Sequence, residues 1–434
     1  MPRSLSSILL GVSIIFILMF ITLCSRPSQQ QLQNSLPVNG PAEPVPQVGH
    51  VTFYLENSGG MHGYVADFND FIEVLSELAQ KPRFVQNNPD FDNPSFDFNF
   101  INGIRGLVIT PIGHRPTDFT SKLNTRDINV GNISGNDLNA MFQLALSKAG
   151  DESISIFISD AIYDIQNKPS VDAVLGDLVV EGRETRTRFI NRLNIDPDIQ
   201  TLLIKLSSNF RGRYYYGVSF DGRQINQERP YYIFIFGNSE LLNDYFNNDY
   251  LVNNLAGYQN HVRFYVPGDD DVAYRPTPHS MIGSFRFSKN SPTTLTHVRS
   301  VKNIFQFSVA VDFSSLPLTE EYLMNKQNYV VSNNYEIELI EPVNSSMILG
   351  AIDFVPTHLI TLKTNSLPTG EVNINLLNRV PDWIDESHII DDTDILNNTD
   401  RTFGFSYLTN GIIEAYHHVT QSDYLATISI QLER

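Results

Sequence analysis

The chain has 434 residues, a formal charge of −18 at pH 7 and a sequence pI near 4.9, a balance that repels phosphate backbones and anionic headgroups over the Debye length. Nucleic acid is therefore excluded as an expected partner. Cys24 is the single cysteine, which rules out an intrachain disulfide and a thiolate metal cluster, so the fold must rest on its apolar core.

Residues 1–26 read as a signal-anchor or transmembrane segment. Arg3 and the terminal amine supply positive charge, and Ile8 to Cys24 follows without a charged residue. That run lies at the short end of the roughly 17 to 25 residues that cross a bilayer, and exceeds the ~7 to 15 of a cleaved signal. Three fates stay open: a retained helix, lipidation at Cys24, or cleavage elsewhere. Phe20-Ile21-Thr22-Leu23 offers no small residue for a signal peptidase, and Leu23 is a poor neighbour for a lipidated cysteine, which favours retention. Nearly all of the chain lies beyond this segment, so the body is expected to be membrane-anchored and periplasmic or extracellular. Residues 27–48, rich in Pro, Gln and Asn, read as a flexible linker, because such sequence buries too little apolar area to offset its ordering entropy.

From 49 to 268 short apolar runs alternate with helical patterns. His50 to Leu55, Ile104 to Ile109, Ser153 to Ser159, Ile199 to Leu206, Tyr231 to Phe236 and Val262 to Val266 read as strands. Ala66 to Gln80, Asp137 to Ala149, Val171 to about Leu193 and Leu241 to Leu255 read as helices, with Ser134 and Asn136 as capping candidates before the second. Strands separated by helices imply crossovers and an α/β domain with a doubly wound, mainly parallel sheet. A hairpin near 210–236, turning at Asp221-Gly222, interrupts the rhythm. From 280 to 434 the helical period fades, and Asn303 to Phe313, Tyr335 to Ile340, Leu359 to Thr364, Gly370 to Leu376, Thr402 to Phe405 and Tyr424 to Leu432 suggest an all-β, sandwich-like domain, with Ile412 to Ala415 a short helix or turn.

In an open α/β sheet ligands bind at the carboxyl ends of strands. The loop after the first strand reads Glu56-Asn57-Ser58-Gly59-Gly60-Met61-His62-Gly63-Tyr64. Its plain reading is turn chemistry, with glycines supplying backbone freedom and Ser58 capping the helix that follows. Asp160 asks for more, since an acid directly after the buried Ile156-Phe157-Ile158 run has little structural reason to be there.

Over residues 50–267 this order of elements resembles the von Willebrand factor type A family, in bacterial membrane-anchored form, whose first strand ends in an Asp-x-Ser-x-Ser loop that ligates a divalent cation. Glu56 takes the Asp position, Ser58 the first Ser and Gly60 the second. Ser134-Gly135-Asn136-Asp137 resembles the family's Gly-Gly-Thr turn, with Asn136, or Ser134, at the Thr. Asp160 matches the Asp that ends the later strand. The resemblance implies a degenerate metal-ion-dependent adhesion site holding Mg²⁺ or another divalent cation on Glu56, Ser58, Asn136 and Asp160, and a protein partner. Glu for Asp, Gly for Ser and Asn for Thr are departures, and Gly60 brings no side-chain oxygen to an ion that wants near-octahedral oxygens.

Binding, as an adhesion or scaffolding module, is thus the expectation favoured over catalysis. The alternative is a hydrolase on the same sheet, using Ser58 or a metal held by Glu56 and Asp160. The nucleophile elbow Gly-x-Ser-x-Gly lacks its leading Gly here. His417-His418, read as strand neighbours, would point apart. Asp269-Asp270-Asp271 lacks the alternating ligand spacing of a calcium loop. No phosphate-binding Gly-rich loop and no Cys/His zinc spacing occurs.

Overall fold

Val51 to Glu56 are all buried, and a run of that kind needs both of its faces covered. The computed structural model describes residues 48–434 except 86–93, 166, 167, 169, 218–221, 248, 249, 252, 253, 268–271, 348, 367 and 368. The expected membrane segment, all of the linker but Val48, the hairpin tip at Asp221 and the Asp269-Asp270-Asp271 run lie outside the described residues. Among those described, no helix is long and apolar enough to cross a membrane.

The protein is a mixed α/β molecule. β1 (His50–Glu56) leads through a 3-10 helix (Gly59–Val65) and α1 (Asp70–Val85) to β2 (Ser95–Asn102) and β3 (Val108–Gly113). α2 (Pro116–Ser121) and α3 (Leu138–Leu146) precede β4 (Ser153–Ser159). α4 (Val171–Leu193), β5 (Gln200–Tyr215), β6 (Gly222–Gly237), α5 (Ser239–Tyr245) and β7 (Tyr258–Phe264) follow. They build a seven-stranded sheet in the order β3-β2-β1-β4-β6-β5-β7.

Parallel pairing is confined to β2-β1-β4, and every other neighbouring pair in this sheet is antiparallel. The expected mainly parallel sheet is corrected on this point. β2–β3 and β5–β6 are joined directly, without the crossover helix that parallel neighbours require. Helices cover both faces. The Phe71 ring of α1 meets Tyr231, while Phe142 of α3 meets Phe234 and Phe236, and along β6 these positions alternate between faces.

One hairpin decides the shape of the site. Ser159 at the end of β4 pairs with Tyr232, Tyr232 with Lys205, and Leu206 with Tyr258 of β7, so residues 207–215 of β5 and 222–230 of β6 run on beyond the sheet edge as a two-stranded arm. At ~3.3 Å per residue the arm is roughly 30 Å long. The strand expected from Ile199 to Leu206 and the first limb of the hairpin expected near 210–236 are one continuous strand, β5.

The second half contains β8 (Ala273–Ile282), β9 (Ser284–Phe287), β10 (Thr294–Arg299), β11 (Phe305–Asp312), α6 (Glu320–Met324), β12 (Tyr329–Val331), β13 (Glu336–Pro342), β14 (His358–Thr364) and β15 (Gly370–Leu377). α7 (Asp382–Glu386), β16 (His388–Ile389), β17 (Thr402–Phe403), α8 (Phe405–Thr420) and β18 (Tyr424–Leu432) end it. Sheets β12-β15-β18-β10-β9 and β13-β14-β11-β8 share a core of Phe305, Val309, Ile360, Ile374 and Ile428.

This half is not all-β. Between β15 and β18 the chain leaves those sheets and packs on the α/β layer. The Phe405 ring stacks on Tyr232 with centroids 4.2 Å apart, and the Tyr416 hydroxyl donates to the Ile199 carbonyl at 3.1 Å. Phe405, Leu408, Ile412, Ala415 and Tyr416 recur at helical spacing and are all buried, so α8 presents one apolar face to that core. His417 and His418 consequently lie in the last turn of a helix.

Candidate functional site

The carboxyl ends of β1 and β4 carry the site. Glu56, the last residue of β1, is fully buried. Its Oε1 accepts hydrogen bonds from Ser58 Oγ at 2.6 Å and from Asn136 Nδ2 at 2.7 Å, and its Oε2 accepts one from Ser159 Oγ. Ser58 therefore turns its hydroxyl back on Glu56 and does not cap the 3-10 helix. Asn136 is likewise drawn inward, and α3 is capped by Asp137, whose side chain accepts from the Ala140 N–H at 2.9 Å.

Backbone geometry sets these side chains. Gly103 N–H donates to the Gly135 carbonyl at 3.1 Å, which ties the segment before α3 to the end of β2. Asn57 Nδ2 donates to the carbonyls of Ile128 and Val130 at 2.8 and 2.9 Å, clamping the β1 loop to the same region. After β4, Ala161 takes φ +56°, a left-handed conformation that costs a β-carbon residue about 1 kcal/mol or more. Two bonds hold it: Ala161 N–H to Ser159 Oγ at 2.8 Å and Ile162 N–H to Asp160 Oδ1 at 3.2 Å.

The loop glycines are required by close approach, since none of Gly59, Gly60 and Gly63 has positive φ. A Cβ on Gly60 would sit 3.0 Å from Asp160 Oδ2 and 3.7 Å from Ser58 Oγ, and one on Gly63 would sit 2.4 Å from the Phe210 ring of the arm. The arm thus folds down on the 3-10 helix. It closes a cavity of about 440 Å³ walled by Ser58, Asn136, Asp160, Asp164, His62 and the run Tyr214 to Gly217.

The four residues singled out in the sequence are brought together, with unequal roles. Ser58, Asn136 and Asp160 face the cavity, whereas Glu56 lies behind its wall and orders the other groups. Ser134 also lines the cavity, with its hydroxyl donating to Asn132 Oδ1 at 2.7 Å.

Burial pushes the carboxyl of Asp160 up to about 8, with the charge of Glu56 adding to it. Burial raises Glu56 too, opposed by its three side-chain donors, and raises Asp164, opposed by the Asn136 backbone N–H. Behind the cavity the guanidinium of Arg229, almost wholly buried, lies 4.5 Å from the centre of the Tyr214 ring and donates to the Thr399 and Arg401 carbonyls, both at 3.3 Å. Tyr214 hydroxyl and Gly217 N–H both donate to Asp392 Oδ2, at 2.7 and 2.8 Å. The segment between α7 and α8 therefore braces the cavity wall. Ser159, Asp164, Arg229 and Asp392 were not singled out in the sequence, and only Ser159, beside Asp160, carried a local signal.

These side chains, as arranged, do not fit a hexacoordinate divalent ion held by the four expected ligands. Glu56 is turned away from the cavity and saturated by three donors, Asn136 offers that carboxylate its nitrogen, and Gly60 has no oxygen to give. Among the described residues, no three His, Cys, Asp or Glu side chains are grouped so as to hold a metal. A serine-hydrolase arrangement fares no better, because the Ser58 proton is directed at Glu56 and His62, though on the cavity wall, makes no hydrogen bond to it.

Comparison with protein families, with characterised proteins and with solved structures finds no match to this chain.

Proposed function

We propose that this protein is a recognition module of von Willebrand A-like, doubly wound design, whose loop face at the β1 and β4 ends engages a protein partner. The observation that carries the reading is the convergence of Ser58, Asn136 and Asp160, ordered by buried Glu56, on one cavity at the strand ends. Such edges are where open α/β sheets bind. Residues 1–26, read as an anchor, and the linker to 48 would hold this face outside a membrane. The β-rich half, braced through Asp392, would orient it. Nothing in the reading requires a reacting group, and no metal step is part of it.

In-cell photo-crosslinking tests it. A photoreactive amino acid at Tyr215, on the cavity wall and 43% exposed, should capture a discrete protein that Asp160→Asn abolishes. The same probe at Ile195, 81% exposed and just before β5 at the opposite sheet edge, should not. Equal adducts at both positions, or none at Tyr215, would count against a recognition face.

A further inference from the structure

Resting on that recognition reading, we infer that the cavity takes an alkyl-ammonium group, the side chain of a lysine from the partner, in the place where the family resemblance puts a metal ion. Asp160 and Asn136 are 5% and 8% exposed and both line the cavity, and Asn136 Oδ1 has no hydrogen-bond partner. An oxygen left unpaired in such a place costs about 1 to 3 kcal/mol, and an incoming donor relieves it.

Charge points the same way. Asp160, Asp164 and, one layer back, Glu56 gather around the cavity, and Arg229 acts on Asp160 through space without an ion-pair contact. Without a bound cation, burial keeps the proton on Asp160 up to about 8, and an ammonium seated beside it would favour the ionised carboxylate and pair with it. The walls select among cations. A hydrated divalent ion needs oxygens all round, whereas the rings of Tyr163, Tyr214, Tyr215 and Tyr216 suit a methylene stem and attract its charged head. A compact ammonium with three donors also matches one carboxylate plus one amide oxygen better than a planar guanidinium, which prefers two parallel acceptors. The chain's charge of −18 would steer a basic partner toward it.

Ligand-observed saturation-transfer NMR on the full-length chain in a non-ionic detergent tests this with Nα-acetyl-lysine methylamide. Transfer to its δ and ε methylenes should appear with the wild type and drop at least fivefold with Asp160→Asn. The Nε-acetylated analogue should show none, and millimolar MgCl₂ should compete no better than NaCl of equal ionic strength. Asp164→Asn, a half-buried position, provides a second reading if Asp160→Asn misfolds. Equal transfer to the charged and acetylated compounds, insensitivity to both variants, or specific displacement by Mg²⁺ would each overturn the inference. So would binding of free 1,5-diaminopentane without binding of the lysine derivative. A crosslinked partner at Tyr215 without lysine binding removes this inference and leaves the recognition face. Lysine binding without any crosslink does the reverse, leaving a small-amine site.

Discussion

Asp160 shows what it costs to keep an acid at this site. The free carboxyl ionises near 3.9, and in the folded protein it holds its proton up to about 8. Between those values the native state binds a proton that the unfolded chain has lost, so stability falls as pH rises, by up to about 1.4 kcal/mol per pH unit. Asp160→Asn removes that dependence. Without ligand, the variant is expected to melt above the wild type at pH 8, with the difference shrinking toward nothing by pH 4, as followed by circular dichroism. Equal melting temperatures throughout would mean that Asp160 is not held protonated. The residues visible in the sequence were those on short loops next to strand ends, Glu56, Ser58, Asn136 and Asp160. Arg229 and Asp392 were not visible, because they come to the site by strand register and by a segment more than 150 residues away from Arg229 in sequence.

At the level of elements, the arm of β5 and β6 depends on a glycine. Gly63 allows the Phe210 ring and Gly212 to lie directly on the 3-10 helix, and its own φ would suit other residues. Gly63→Ala should destabilise by about 1 to 3 kcal/mol through overpacking. Phe210→Ala alone should also destabilise, through the cavity it leaves. Combined, the two should cost clearly less than their sum, because the alanine methyl then enters the space left by the ring. Additive losses in denaturant titrations would show that the ring does not press on Gly63. Such contacts are not legible in sequence, where Gly63 reads as one more turn residue. Other elements were legible in principle. Over residues 95–100, Phe96, Phe98 and Phe100, all buried, alternate with Ser95, Asp97 and Asn99, a period-2 strand signal that the neighbouring Ile104 to Ile109 run obscured.

At the level of the whole molecule, the division of the sequence at about 268 does not divide the structure. The alternation of strands and helices correctly signalled an α/β layer, and the β-rich stretch after 280 was plain. The return of Asp382–Thr420 was hidden, since Thr402 to Phe405 looks like a strand and amphipathic spacing does not say which core a helix will cover. Phe403, Phe405, Leu408, Ile412, Ala415 and Tyr416 are buried in the same core as β1, β4 and β6. At about 1.5 to 3 kcal/mol for each large side chain, exposing them would remove an amount comparable with the ~5 to 15 kcal/mol by which a domain is stable. Close packing adds to this: a Cβ on Gly411 would lie 2.4 Å from the Gly182 carbonyl, so α8 and α4 touch backbone to backbone. The fragment 49–268 is therefore expected to be molten or aggregated, binding a hydrophobic dye and lacking near-ultraviolet circular dichroism. Joining 380–421 back to it through a short flexible linker should restore a cooperative transition, since that returns both the missing apolar face and the Asp392 brace of Tyr214. A fragment 49–268 that unfolds cooperatively by itself would show that the α/β layer does not need the helix.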